Sequence, residues 1–148
     1  MTSELRDLYQ ELILDHSRNP RNSGQLQTVT GEAKGNNPLC GDRVTVYVEL
    51  EDGKIVDTAF EARGCAISIA SASMMTEHLK GLTVEQAQKA HEEFSNHLTK
   101  SEPPDLPLES ELAALMGVRN FPTRIKCATL PWHTLIAALK GGDEITTE

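Results

Sequence analysis

The chain is predicted to fold as an α+β protein, with a small antiparallel sheet of about three strands packed against several helices. Three observations predict this. An apolar stripe of helical period opens the chain, two alternating runs joined at an Asp-Gly turn follow it, and everything after Gly64 patterns as helix. Strands grouped ahead of helices point to α+β rather than to a parallel α/β sheet. With 148 residues, the chain suits one domain spanning 1–148. A domain of this size buries roughly 70% of the surface its unfolded chain exposes, so it folds without disulfides.

The first helix rests on Leu5, Leu8, Tyr9, Leu12, Ile13 and His16, which recur at three- and four-residue steps. Asn19-Pro20 and Asn22-Ser23-Gly24 end it. Val29 to Lys34 reads as a short edge strand, which Gly35-Asn36-Asn37-Pro38 breaks. Val44, Val46, Val48 and Leu50 alternate with Thr45, Tyr47 and Glu49 as a half-buried strand. Asp52-Gly53 carries the turn signal of a hairpin, and Ile55 to Ala62 is the return strand.

A helix is expected from about Cys65 to Lys80, closed by Gly81. Its small residues, from Ala66 to Ser73, allow close packing on a neighbour. Thr83 and Gln86 have capping-box spacing, so another helix starts there and runs to about Leu98. Ser101 to Leu108, with three prolines, reads as a loop, and Glu109 to Met116 as a short helix closed by Gly117. Phe121-Pro122 opens the last helical stretch. Pro131 should kink or restart it, because proline cannot donate to the carbonyl of Cys127. Gly141-Gly142 ends it, and the tail is polar.

Composition excludes several classes. The net charge of −8 argues against broad, non-specific nucleic-acid binding, although a local basic patch is compatible with it. Met1 to Asp7 carries acids and lacks the apolar core of a signal peptide. No apolar run approaches the roughly 20 residues of a membrane span. A cytoplasmic location is therefore expected, where thiols stay reduced and cysteines are more often catalytic or metal-bound than bridged. Three cysteines also leave one unpaired under any internal disulfide scheme.

The chemistry concentrates around those cysteines. If the chain enters a strand at Cys40-Gly41-Asp42, residues two apart face one side, and a thiolate and a carboxylate project together. Such a pair is half of a tetrahedral metal site. Cys65 follows Gly64 at a helix start, where the dipole favours thiolate. Cys127 lies among Arg124, Ile125 and Lys126, whose positive charge acts the same way. Each cysteine has a basic residue within three positions (Arg43, Arg63, Arg124 and Lys126). Three thiolates and one carboxylate on a divalent ion carry a net charge of about −2, which such residues offset. Taken singly, each cysteine reads more readily as a packed core or cap residue. No Cys-x-x-Cys occurs, so a zinc ribbon or thioredoxin-type pair is not indicated.

The histidines read as structural. His16 lies on the apolar stripe of the first helix. His78, His91 and His97 fall on helices, partly exposed, and His133 does not share a helical face with Cys127. None shows ligand spacing with another histidine. Met74 and Met75 read as packing residues.

Three stretches together resemble a known family. Leu8-Tyr9 through His16, Asn19-Pro20-Arg21-Asn22 and Asn37-Pro38-Leu39-Cys40-Gly41-Asp42 resemble the opening of the IscU/NifU-type iron–sulfur assembly proteins. Gly64-Cys65-Ala66-Ile67-Ser68 through Met75 resembles their second signature, and Arg124-Ile125-Lys126-Cys127-Ala128-Thr129-Leu130 their third. The resemblance implies a SufE/IscU-like fold. Scaffold members usually carry histidine just before the third cysteine, where this chain has Lys126. The chain also has an extra stretch of roughly Ser95 to Arg119. Both features resemble the SufU branch.

That branch implies zinc held by Cys40, Asp42, Cys65 and Cys127, and sulfur transfer from a SUF-type cysteine desulfurase for iron–sulfur cluster assembly, serving downstream assembly proteins. It implies that Cys40 attacks the outer persulfide sulfur of the desulfurase and must leave the metal to do so. Arg124 and Lys126 would guide docking or stabilise the persulfide, or be an ordinary exposed pair. The competing readings are a scaffold that assembles a [2Fe–2S] cluster on the same ligands, and a non-catalytic module with structural zinc. No nucleic-acid or membrane partner is expected.

Overall fold

The computed structural model describes residues 3–38, 41–99, 114–115, 118, 121–141 and 144–146. Helix α1 (Ser3–Arg18) is followed by strands β1 (Gly31–Asn37), β2 (Asp42–Glu51) and β3 (Lys54–Arg63). Helices α2 (Ala66–Leu79), α3 (Val84–Thr99) and α4 (Pro122–Leu139) come next, and strand β4 (Glu144–Thr146) is last. The α+β expectation holds. The loop assigned to Ser101–Leu108 lies outside the described residues. So does most of the helix assigned to Glu109–Met116, of which Ala114 and Leu115 form a 3-10 turn.

The sheet runs in the order β3-β2-β1-β4. β1, β2 and β3 are antiparallel neighbours, as the meander pattern requires. Asp52 and Gly53 both take positive φ, +53° and +77°, the twist that a tight hairpin demands.

Two sequence expectations at β1 are corrected. The strand does not break at Gly35: it pairs with β2 through Asn37↔Asp42. Nor is it an edge, because β4, in the tail read only as polar, lies parallel to it across Lys34–Asn36. Three residues are too short a run for periodicity to register.

Alternation along β1, β2 and β3 turns Ala33, Val44, Val46, Val48 and Phe60 into the core. Helix α4 crosses β1 and β2 on that face, α2 covers β3, and α1 and α3 pack outside α2 and α4. The opposite face carries Lys34, Arg43, Thr45, Glu61 and Arg63. The outer edge of β3 is closed by main-chain bonds from Gly24 to Phe60 and from Ile55 to Leu82, both 2.8 Å. These bonds cover the β3 edge at Ile55 and at Phe60 and so limit its extension by another chain.

Helix α4 runs unbroken through Pro131, so the expected restart does not occur. Burial explains this. Trp132 and Leu135 are fully buried, and Trp132 stacks on Phe94 of α3 with centroids 4.6 Å apart. Ser71 of α2 donates to the Ala128 carbonyl and accepts from Trp132 Nε1 at 3.2 Å. These contacts hold both sides of the proline in one helix. The capping box forms in both directions, Gln86 N to Thr83 Oγ1 at 3.1 Å and Thr83 N to Gln86 Oε1 at 2.9 Å.

The seat of α4 on the sheet needs glycine. A Cβ on Gly35 would overlap Thr134 Oγ1 and meet Leu130 Cδ1 at 3.0 Å. Gly35→Ala is therefore expected to destabilise the fold by about 1–3 kcal/mol through overpacking, read as a lower urea midpoint with an unchanged m-value.

Candidate metal centre

Three elements converge at one end of the sheet. Asp42 begins β2 and is fully buried. Cys65 sits just past β3 and caps α2, and Cys127 is fully buried on α4. One ligand atom from each of Asp42, Cys65 and Cys127 lies within 4.8 Å of the others, and this group could hold a metal ion. Cys65 and Cys127 are thiols, not a disulfide. Cys40, the fourth residue expected here, lies outside the described residues. Its chain position falls in the connection between Asn37 of β1 and Asp42 of β2.

Local geometry explains why these residues meet. The Cys65 backbone N donates to Asp42 Oδ1 at 2.8 Å, and its Sγ lies 3.6 Å from Oδ2. The Ser68 backbone N points at Cys65 Sγ from 3.5 Å, so the sulfur fills the capping role at the positive end of α2. Gly64 makes the approach possible. Its φ is +135°, and a Cβ there would run into Asp42 Oδ1 and come within 2.8 Å of Asp42 Cα. Ser68 Oγ, buried one helical turn beyond Cys65, has no hydrogen-bond partner among the described residues. A buried hydroxyl in that state costs about 1–3 kcal/mol.

The donor set suits zinc. Zn–S bonds of about 2.3 Å and Zn–O bonds of about 2.1 Å in a tetrahedron place ligand atoms about 3.5–3.8 Å apart, inside the 4.8 Å spread observed. Two thiolates select a soft or borderline ion over magnesium or calcium.

The remaining predicted residues distribute as follows. Arg43 and Arg63 are exposed on the outer sheet face, Arg124 is exposed on the first turn of α4, and Lys126 is half-buried. His16 is the buried, satisfied residue expected, with Nδ1 2.7 Å from Ser73 Oγ. The histidines also form a contact that sequence spacing does not reveal. His91 Nε2 and His133 Nδ1 lie 2.8 Å apart, joining α3 to α4. Residues 42 apart on different helices leave no spacing signal.

The comparisons with known proteins follow the same geometry. Residues 8–140 match the NifU-like N-terminal domain. The chain belongs to this family. It is 42% identical over 144 residues to the Bacillus subtilis zinc-dependent sulfurtransferase SufU, covering 95% of this chain and 97% of that one. It is 41% identical over 138 residues to the Streptococcus pyogenes iron–sulfur cluster assembly scaffold protein IscU, covering 93% and 86%. A crystal structure of a proposed SUF-system scaffold protein from Fervidobacterium islandicum superposes with a TM-score of 0.81 at 36% identity, covering 93% and 99%. As a NifU-like chain it carries the expected family fold. No helix among the described residues is long and apolar enough to cross a membrane.

Two expected outcomes follow. Gly64→Ala should lower stability and metal retention together, while Gly24→Ala, with a similar φ of +123° but nothing within 4 Å, should lower stability only. Dialysis followed by elemental analysis separates the two. The second outcome concerns the histidine pair. Burial first, then His133 and Lys140, pushes His91 down to about 4, and burial lowers His133. The unfolded chain therefore takes up these protons first. Stability should fall as pH drops below about 6.5 and keep falling toward 4. His91→Gln should remove on the order of 1 kcal/mol of that acid sensitivity, read as a shallower loss of urea midpoint between pH 7 and pH 5.

Proposed function

We propose that this protein is a zinc-dependent sulfur carrier for iron–sulfur cluster assembly, accepting persulfide sulfur on Cys40 from a SUF-type cysteine desulfurase. The observation that carries the reading is the convergence of Asp42, Cys65 and Cys127 within 4.8 Å at the buried end of the sheet. The names of the SufU and IscU relatives support the same field of chemistry. Cys40 is two peptide links from Asp42, about 3.8 Å each, so its thiol is within reach of the trio as a fourth ligand. Bound zinc would hold its cysteine ligands as thiolates at neutral pH.

The chain's own residues divide the work. Asp42 and Cys127, both buried, are anchors. Cys65 is fixed by its capping role and by its bond to Asp42. In this reading Cys40 is the ligand that leaves the metal to react. Its thiolate attacks the outer sulfur of the donor persulfide. The Cys40–sulfur bond forms as the donor's sulfur–sulfur bond breaks, and the donor cysteine leaves as thiolate. The transferred sulfur keeps its oxidation state, so no oxidant or reductant is required.

Lys126 in place of a histidine beside the third cysteine favours this reading over cluster scaffolding on the same donors. The test is mass spectrometry of the protein after incubation with cysteine and the cognate desulfurase. Wild type should carry one zinc and a persulfide on Cys40. Cys40→Ala should lose the persulfide and the stimulation of desulfurase turnover while keeping part of its zinc. Normal stimulation by Cys40→Ala would remove the acceptor role. A [2Fe–2S] cluster that reconstitutes anaerobically and transfers to an apo protein, with no persulfide formed, would establish the scaffold instead.

A further inference from the structure

The outer face of the sheet carries a feature that sulfur chemistry at the buried site does not use. Asn36, Arg43 and Arg63 form one cross-strand row, with Arg43 directly opposite Arg63. Like charges placed opposite one another on an antiparallel pair are destabilising. Neither arginine makes an ion pair among the described residues. Glu61, one row away, is held by the Tyr47 hydroxyl and by Gln25. Lys34, paired with Thr45 in that next row, adds a third cation.

Open clefts lie on both sides of Arg43. One, of about 520 Å³, is bordered by Ser23, Gly24, Glu61 and Arg63. The other, of about 360 Å³, is bordered by Lys34, Gly35 and Asn36. Arg43 borders both, and together the two clefts form a trough that spans three strands. The trough ends beside the candidate metal centre, because Arg43 follows Asp42 and Arg63 precedes Gly64-Cys65.

We propose that this row is a docking site for an acidic segment of the sulfur-donating partner protein, a surface that orients the partner over the metal centre. The inference rests on the sulfur-transfer reading above. Charge complementarity selects the occupant. The chain as a whole carries −8, so a local row of cations stands out against it for a negatively charged partner and fixes orientation as well as contact. Arginine forks pair with carboxylates in a defined geometry. An extended segment with spaced carboxylates can cross both clefts, whereas three cations and an acidic surround are too little for nucleic acid.

The test measures affinity for the cognate desulfurase against salt concentration for wild type, Arg43→Glu/Arg63→Glu and the milder Arg63→Gln. The double reversal should weaken binding by about tenfold or more at low salt and flatten the salt dependence, with zinc content unchanged. Arg63→Gln should weaken binding in the same direction while raising the melting temperature, because it relieves the cross-strand repulsion. That combination marks a functional charge and not a structural one. Wild type that binds, with variants of equal affinity and salt slope, overturns the docking row alone. Wild type that does not bind the desulfurase removes both this inference and the sulfur-transfer reading.

Discussion

The contact between the Asp42 carboxylate and the backbone at Gly64–Cys65 holds the site end of the molecule together. It ties the first residue of β2 to the turn that leaves β3 and to the first turn of α2, through a 2.8 Å hydrogen bond at the Cys65 amide. The sheet register places Arg43 opposite Arg63, so Asp42 and Gly64 are the next positions along each strand. Only a residue without Cβ lets the carboxylate reach the amide there. The same bond neutralises part of a fully buried carboxylate, which would otherwise be costly to desolvate. Site and fold are therefore coupled: moving Asp42 would release the start of α2, and displacing α2 would leave Asp42 buried without its donor.

The third donor arrives by a different constraint. Cys127 belongs to α4, and α4 is positioned by its seat on β1 and β2 and by its bonds to α2. Gly31 and Gly35 let the helix approach the strand closely, since a Cβ at either would strike the helix. The Ser71 hydroxyl, bonded to the Ala128 carbonyl and to Trp132, sets the height of α4 against α2 immediately beyond Cys127. These bonds lie in a buried environment, where an unmade partner costs more than it does at the surface. The depth of Cys127 thus follows from core packing and small residues, with no local feature of Arg124–Cys127 required.

This division explains what was legible in the sequence. Alternation from Val44 to Leu50, the Asp52-Gly53 turn and the Thr83/Gln86 box are local signals, and each formed as read. The restart allowed for at Pro131 does not occur, because the effect of proline is local while the packing of Trp132 and Leu135 that keeps α4 continuous is tertiary. β4 and the end of β1 were missed for a related reason. Asn36 and Asn37 have low strand propensity, and their pairing is set by partners in β2 and β4. At the site, Asp42, Cys65 and Cys127 were suggested one at a time by local chemistry and made a set by family resemblance. The glycine at 64 could have signalled more than a helix break, since glycine before a cap cysteine also permits close backbone approach. The His91–His133 contact had no sequence signature, because the apposition of α3 and α4 is a property of the fold.

Burial grades the donors by what each is free to do. Asp42 and Cys127 have no exposed surface, and Cys65 is half-buried with its sulfur directed into the first turn of α2. Groups held this tightly are poor nucleophiles toward a sulfur on another protein, because attack needs a thiolate that can reach the partner's surface. Asp42 and Cys127 sit within a strand and a helix, while Cys65 lies between β3 and α2 and is held by its capping role. The opposed arginines lie on β2 and β3 at the same end of the sheet, and their mutual repulsion is a standing cost that the fold alone does not require. Uncompensated cations of this kind make sense when that end of the sheet is a face that a second protein meets.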